Sequence, residues 1–427
     1  MPQIRNVDDH LRAVVELGQR YLNATAASTE TRATEDCRGR VLATDLSARY
    51  PIPVFHNSAM DGFLVHHADL SDGSTTLPVV ADVPAGSAPQ SPRAGEAVRI
   101  MTGAPIDLSG SPAESPLAVV PVEASDMPIG RSDCPAEVRL NGTAAPGQHI
   151  RAAGEDVSVG QLVLTAGTVL DAGAIATAIS IGYAELSVYR LPTVAVLSTG
   201  DELRGPGEEL GPGHIPDSNG PMLAALVSAL GAECIRVHSS SDSPAEFEDT
   251  LRSLSERADL IITSGGVSAG SFDVVKEVLS RHGVWFGPIA QQPGKPQGLG
   301  MIHDTLITCL PGNPVSVYAS FHLYVAPLIR LLRSRASTPD HWDLPIIHAT
   351  AGGHFPSDSR RARFVPVCLE REGSITDATV RAVPAHDRGL GSHLISSLAI
   401  ADGLAIVPPR AGDITDGAAV SVLSTRL

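Results

Sequence analysis

The sequence predicts a multidomain α/β protein whose central domain is a doubly wound parallel sheet, flanked by small β domains. Three observations lead there. Between residues 192 and 333, strand-like apolar runs alternate with helix-like runs. That alternation means right-handed βαβ units with helices on both faces. On either side, 64–149 and 337–427 break into short β-like runs between Gly, Pro, Ser and Asp turns. Finally, 427 residues that are 43% hydrophobic and 18% charged hold apolar material for several cores, at roughly 150 residues per domain.

The elements follow in order. Val7, Leu11, Val14, Val15 and Leu17 recur at helical spacing after Asn6, which predicts an amphipathic helix over 6–22. The proline-punctuated stretch 48–63 cannot be helix and reads as loop and extended chain. Leu77–Val80, Ala97–Met101, Ala118–Val122 and Glu137–Leu140 read as strands of a small β domain, with 107–116 as a loop. The segment Asp171–Val188 has helical length; its Asp171, Ser180 and Glu185 make it a helix of a water-soluble protein rather than a membrane span. Thr193–Leu197, Cys234–His238 and Leu260–Thr263 are the predicted strands of the central domain. Its helices are predicted at 219–230, 244–257, 272–282 and 314–333.

Composition narrows the function. The N-terminus lacks the basic and apolar regions of a signal peptide, so a membrane or secreted protein is not expected. Five scattered cysteines, with no CxxC pair, exclude a zinc ribbon or disulfide framework and point to a reducing cytoplasm. A net charge of −16 gives no general attraction to nucleic acid or acidic lipid. The sequence contains no GxxxxGK[ST] loop, GxGxxG turn or HExxH.

In an open parallel sheet, ligands bind outside the carboxyl ends of the strands. The three segments that follow the predicted strands place Asp201/Glu202, Asp242 and Asp273 at one sheet edge. Gly265-Gly266 beside them lets a backbone approach closely and offers N–H groups to an anion. Carboxylates next to an oxyanion loop suit a hard cation such as Mg²⁺ bridging to phosphate. Asp242 and Asp273 also read as helix caps, and both readings stay open here.

Two further loops read as anion sites. Only two of the 31 cationic residues are lysines, and Lys295 sits in Gln-Gln-Pro-Gly-Lys-Pro (291–296) after a predicted strand. Proline stiffens that loop, and a compact ammonium suits phosphate or oxometallate; an ordinary surface lysine is the alternative. Lys276, mid-helix, reads as a surface residue. Leu-Pro-Gly-Asn-Pro-Val-Ser (310–316) opens the long helix, with Asn313 as its cap and Pro314 at its first position.

Seven motifs then occur in family order: Ser-Ala-Met-Asp-Gly (58–62), Met-Thr-Gly-Ala-Pro (101–105), Ala-Gly-Glu-Asp (153–156), Ser-Thr-Gly-Asp-Glu-Leu (198–203), Ser-Gly-Gly-Val-Ser-Ala-Gly (264–270), Pro-Gly-Lys-Pro (293–296) and Pro-Gly-Asn-Pro-Val-Ser (311–316). In these the chain resembles the molybdopterin molybdenumtransferases, the MoeA proteins, whose eukaryotic relatives include the gephyrin E-domain. The resemblance extends to Gly-Ser-His-Leu (391–394) and Ala-Asp-Gly-Leu (401–404), essentially the whole chain.

The resemblance implies a four-part subunit that works as a homodimer with an active site shared between subunits. Residues 1–47 and 148–183 form an elongated α/β dimerisation domain, and 48–147 a small β domain carrying the SAMDG loop. Residues 184–336 form a molybdopterin adenylyltransferase-like α/β domain, and 337–427 a C-terminal β domain. It implies insertion of molybdate into adenylylated molybdopterin, with release of AMP and molybdenum cofactor in a Mg²⁺-dependent reaction. The expected catalytic set is Asp61, Thr102, Asp156, Glu202, Asp242, Asp273 and Lys295: the resemblance supplies the first three, and strand-end placement and the rarity of lysine the other four. Asp61 and Thr102 act on the partner's cleft, and Glu202, Asp242 and Asp273 hold the metal. Substrate-binding positions are Ser58, Arg151, Thr199, Gly200, Ser264, Gly265, Gly266, Ser268, Pro296, Pro311, Asn313, Ser316, Arg361 and Ser392. Molybdopterin adenylyltransferase and molybdoenzymes are the implied partners; nucleic acid and membrane are not. One departure stands out: Gln292 occupies the place of the first lysine in the family's Lys-Pro-Gly-Lys-Pro. A molybdopterin adenylyltransferase and a non-catalytic gephyrin-like scaffold are the competing readings. The added β domains and the SAMDG loop disfavour the first, and the retained carboxylates disfavour the second.

Overall fold

The computed structural model describes residues 4–109, 116–130, 133–239, 243–267, 274–335, 344–386 and 391–426. Thr31–Arg38 with Leu42–Ser187 form one compact unit; Met1–Glu30, Gly39–Val41 and Val188–Leu427 form the other.

The first of these units is built on a five-stranded sheet. Its strands are β1 (Gly62–His66), β2 (Ser74–Val83), β3 (Ala97–Ile100), β4 (Leu117–Pro121) and β5 (Glu137–Asn141), in the order β4-β1-β3-β2-β5. Side chains alternate across a strand, and β1 is buried on both faces. Phe63 and Val65 pack with Leu77, Val138 and Leu140, while Leu64 packs with Val83, Val98, Ile100 and Val119. A helix expected over 171–188 is only half that length. Asp171 caps helix Ala172–Ser180 by accepting from the Ala174 N–H at 2.8 Å. The chain then turns, the Tyr183 N–H closing on the Ala178 carbonyl at 2.9 Å, and Glu185–Tyr189 is a strand. The alternation of buried Leu186 and Val188 is a period of two, which the apolar run concealed.

The other unit opens with α1 (Val7–Ala24), whose N-cap Asn6 accepts from the Asp9 N–H at 2.7 Å. The central sheet contains β6 (Thr193–Thr199), β7 (Glu233–Ser239), β8 (Leu260–Ser264), β9 (Trp285–Pro288), β11 (Pro296–Ile302) and β12 (Thr305–Leu310); the short β10 (Gln291–Gln292) lies outside it. The helices are α2 (Asn219–Ala229), α3 (Pro244–Ser255), α4 (Val274–Arg281) and α5, a 21-residue helix over Pro314–Ser334. Strand order is β7-β6-β8-β12-β11-β9: the expected parallel sheet is present, and one reversed strand is added toward its edge. β7, β6, β8 and β12 are parallel, and β11 alone is reversed, pairing antiparallel with both β12 and β9. Only His303 and Asp304 separate β11 from β12, and two residues make a hairpin, never a crossover.

α5 is long and apolar enough to cross a membrane, yet 89% of its most apolar window is buried inside the protein. It is α-helical over Pro314–Ser320, π-helical over Phe321–Val325 and α-helical again over Ala326–Ser334. Gly18 of α1 lets it come close: a Cβ there would sit 2.5 Å from Leu328 Cδ1. Beyond α5, β13 (Ile346–Ala351), β14 (Ala362–Glu372), β15 (Thr379–Pro384), β16 (Gly403–Val407) and β17 (Ala419–Ser424) pair in the order β14-β15-β13-β17-β16. β16 pairs back onto β14, which closes a barrel around Phe355, Val365, Val367, Ala405 and Val422. β10 adds in parallel to β14, Gln291 opposite Ala362 and Gln292 opposite Arg363.

Candidate functional site

The carboxyl ends of β6, β8 and β12 meet at one edge of the central sheet. Thr199 ends β6, and Glu202, exposed, folds back so that its carboxylate covers Gly200. Buried Ser264 ends β8. Gly265 follows at φ +93° with its N–H donated to the Leu310 carbonyl at 3.1 Å, and Gly266 at φ +69°. A Cβ on Gly265 would lie 3.1 Å from the Thr199 carbonyl oxygen, so the turn needs both the left-handed backbone and the missing side chain. The Asn219 side-chain amide donates to the Gly312 carbonyl at 2.7 Å, which ties the start of α2 to the loop entering α5.

Of the three expected metal carboxylates, Glu202 is described, while Asp242 and Asp273 lie outside the described residues, as does Ser268. The cap of α3 is Ser243. No group of three or more His, Cys, Asp or Glu able to hold a metal occurs among the described residues. Glu202 suits a hard cation as a single ligand, since its carboxylate is exposed and makes no ion pair among the described residues.

Sequence reasoning missed Asp217 and Ser198 at this edge. Asp217 is 3% exposed; its Oδ1 accepts from the Gly220 N–H at 2.9 Å, and its Oδ2 has no hydrogen-bond partner. The Ser198 hydroxyl is likewise buried without a partner, and a Cβ on Gly220 would sit 2.6 Å from both atoms. The signal was Asp217-Ser218-Asn219 before a helix, which reads as capping alone.

Ser392 and the Lys295 loop both lie against the first turns of α5. Asn313 occupies the N-cap position but makes no side-chain cap. Instead its Nδ2 donates to Ser392 Oγ at 3.2 Å, and the Val315 N–H reaches the Ser392 carbonyl at 3.4 Å. This corrects the expected cap: the amide is turned to the barrel, Pro314 has no N–H to give and those of Val315 and Val317 are taken, so the first turn offers the N–H of Ser316. Pro311 and Ser316 are buried, and Lys295 is exposed in the loop between β10 and β11. Arg361 lies just before β14; Asp358 pairs with its guanidinium at 2.8 Å and accepts from the Arg361 N–H at 3.0 Å. These bonds, with that from the Arg360 N–H, hold the Asp358 carboxyl down at about 2. Lys295, Pro296, Asn313, Ser316, Arg361 and Ser392 thus belong to one unit in which strand pairing and hydrogen bonds join their elements.

Ser58, Asp61, Thr102, Arg151 and Asp156 belong to the other unit. Asp61 is exposed, and one of its oxygens accepts from both the Thr102 N–H (2.6 Å) and the Thr102 hydroxyl (2.7 Å). Those two bonds hold its carboxyl below the usual range. Ser58, fully buried, donates to the Met60 carbonyl at 2.6 Å and pairs in register with Ile150, next to exposed Arg151. Asp156 is exposed, its N–H donated to the Ile52 carbonyl at 2.9 Å.

Comparison with known proteins agrees along the whole chain. Residues 5–182 match the family model of the MoeA N-terminal region (domain I and II) and 195–331 that of the probable molybdopterin binding domain. Residues 348–425 match the MoeA C-terminal region (domain IV). Molybdopterin molybdenumtransferase 2 of Mycobacterium tuberculosis is 36% identical over 98% of this chain and 99% of its own length. Molybdopterin molybdenumtransferase of Haemophilus influenzae is 34% identical over 92% and 93%. The crystal structure of the molybdopterin biosynthesis MoeA protein from Pyrococcus horikosii superposes with a TM-score of 0.74 at 28% identity, covering 99% of both chains. The chain therefore belongs to the molybdopterin molybdenumtransferase (MoeA) family, transferases of molybdenum cofactor biosynthesis.

Proposed function

We propose that this transferase inserts molybdate into adenylylated molybdopterin and releases AMP. The observation that carries the reading is the bond from Asn313 Nδ2 to Ser392 Oγ. It turns a cap residue away from its own helix and joins the start of α5, with the Ser316 hydroxyl and N–H, to Ser392, while the Lys295 loop enters β11 beside the end of β12. In a chain of net charge −16, a tetrahedral dianion needs a local set of donors of this kind. Lys295 and Arg361 supply charge, Ser316 and Ser392 hydroxyls, and Pro296, Pro311 and Asn313 shape the walls. Thr199, Gly200, Ser264, Gly265 and Gly266 form the sheet edge along which the molybdopterin and its pyrophosphate link lie. Mg²⁺ is the proposed cofactor, with Glu202 as the ligand among the described residues; bound there, it would neutralise charge on the pyrophosphate.

We also propose a homodimer in which Asp61 and Thr102 serve the partner's cleft, with Ser58 holding their loop and Arg151 and Asp156 beside it. Two facts support this: the Asp61 carboxylate is exposed with one oxygen unused, and its unit exposes Tyr50, Val54, Phe55, Val159, Leu162 and Ile179. Molybdopterin adenylyltransferase and molybdoenzymes are the proposed neighbours upstream and downstream. A cytoplasmic location fits five cysteines that form no disulfide.

The test is AMP release from adenylylated molybdopterin against molybdate concentration, for the wild type and Lys295→Ala. The proposed site gives a molybdate KM raised about tenfold or more, the loss of one charge-assisted contact. An unchanged KM would remove Lys295 from the site.

A further inference from the structure

We propose that Gln291, Gln297, Ser320 and Tyr324 form a buried polar strut that fixes the Lys295 loop against the first turns of α5, and that they are positioning residues for the oxyanion step. This rests on the reading of Lys295 given above.

All four are out of water: Gln291 is 0% exposed, Gln297 2%, Ser320 0% and Tyr324 1%. Burying so much polar surface costs free energy unless every group finds a partner. Here the partners are the loop itself. Gln291 Nε2 donates to the Pro293 carbonyl at 2.9 Å and to Ser320 Oγ at 3.3 Å. Gln297 Nε2 donates to the Gly294 carbonyl at 2.9 Å and to the same Ser320 Oγ at 2.6 Å. The Tyr324 hydroxyl donates to Gln291 Oε1. The next carbonyl, that of Lys295, accepts from the Ile289 N–H at 2.7 Å. Three successive loop carbonyls are therefore taken, two of them by amides that converge on one hydroxyl of α5.

Ser320 lies one turn along α5 from Ser316, so the strut couples the Lys295 loop to the helix turn that carries the other anion-site candidate. The backbone runs directly against it. Gly294 has φ +97°, and a Cβ there would sit 2.6 Å from Gln291 Nε2 and 2.9 Å from Ser320 Oγ. α5 becomes π-helical immediately after Ser320, and Tyr324 stands inside that segment; such turns are frequent at functional sites. Apolar side chains could fill the same volume at no loss of stability. What a connected polar network adds is a unique orientation of the groups it holds.

The test uses the full-length protein carrying Ser320→Ala, Tyr324→Phe or Gln297→Leu, with AMP release followed against molybdate at saturating adenylylated molybdopterin. Each variant is expected to raise the molybdate KM about tenfold, while kcat at saturating molybdate stays within about twofold. Ser320→Thr, which keeps the hydroxyl, is expected to restore the KM. Variants that lower Tm but leave the molybdate KM unchanged would show a purely structural network and overturn the proposal. Tyr324→Phe removes a single oxygen and serves where Gln297→Leu fails to fold. Lys295→Ala, run in parallel, separates the two possible failures. If it leaves the KM unchanged, the anion-site reading falls and the strut with it; if it alone raises the KM, only the strut is wrong.

Discussion

Gly62→Ala tests how the SAMDG loop is held. Gly62 begins β1, an interior strand of its sheet, paired with Ile100 of β3 on one side and Pro121 of β4 on the other. A Cβ at this position would lie 2.0 Å from the Val120 carbonyl oxygen and 2.9 Å from Val120 C and Pro121 Cα. All three atoms are backbone, so no rotamer change relieves the overlap. β4 has to move away from β1 by more than an ångström, and β3 blocks β1 from yielding in the other direction. The movement breaks the bond from the Val122 N–H to the Asp61 carbonyl (2.9 Å) and loosens the Phe63–Val120 pair. One lost hydrogen bond plus overpacking of a buried strand amounts to about 3 kcal/mol. The same shift carries Asp61 with it and detaches its carboxylate from Thr102. Urea unfolding followed by tryptophan-independent far-UV circular dichroism gives the stability, and AMP release gives the activity. Both should fall together. A variant within about 0.5 kcal/mol of wild type would mean that β1 and β4 are not held as described.

Other changes have equally definite expected outcomes. Gln292 Oε1 is buried without a hydrogen-bond partner, so Gln292→Lys removes an unpaired acceptor and adds a cation beside the Lys295 loop. The molybdate KM should fall by about threefold to thirtyfold, and a rise would show that the position does not face the anion. Burial holds the His10 and His322 imidazoles down at about 3, whereas the unfolded chain protonates them near 6.5. The native state thus binds fewer protons below pH 6.5, and stability drops as pH falls from there toward 3. At pH 5 the loss is roughly 2 kcal/mol per histidine. His10→Phe should flatten urea stability between pH 7 and 5 by that amount, and an unaltered slope would contradict the assignment. Removal of divalent cations by a chelator should stop AMP release and Mg²⁺ restore it, with Glu202→Gln shifting the Mg²⁺ requirement upward. A Glu202→Gln enzyme with an unchanged requirement would exclude Glu202 as a ligand.

Much of this fold was legible because its signals are local. The apolar spacing of Leu11, Val14, Val15 and Leu17 after Asn6 describes α1, and glycines after apolar runs mark the ends of β6 and β8. What escaped depends on pairing distant in sequence. Nothing near Ala362 says that β14 will pair with both β15 and β16 and close a barrel. The antiparallel β11 hides in Pro-Gln-Gly-Leu-Gly-Met-Ile, whose glycines weaken any strand pattern. At the site, the motif residues named Asn313 and Ser392 separately, and only the fold shows that they bond across 79 positions. Gln291 and Gln297 carried no signal at all. A buried glutamine obeys neither helical nor strand periodicity, and its role appears only once Ser320 and Tyr324 are beside it.

The most direct measurement incubates the purified protein with adenylylated molybdopterin, Mg²⁺ and a molybdate titration, reading AMP release together with activation of a molybdenum-free molybdoenzyme. AMP release is expected to rise with molybdate and saturate, in step with enzyme activation. A folded protein that releases no AMP at any molybdate concentration would contradict it.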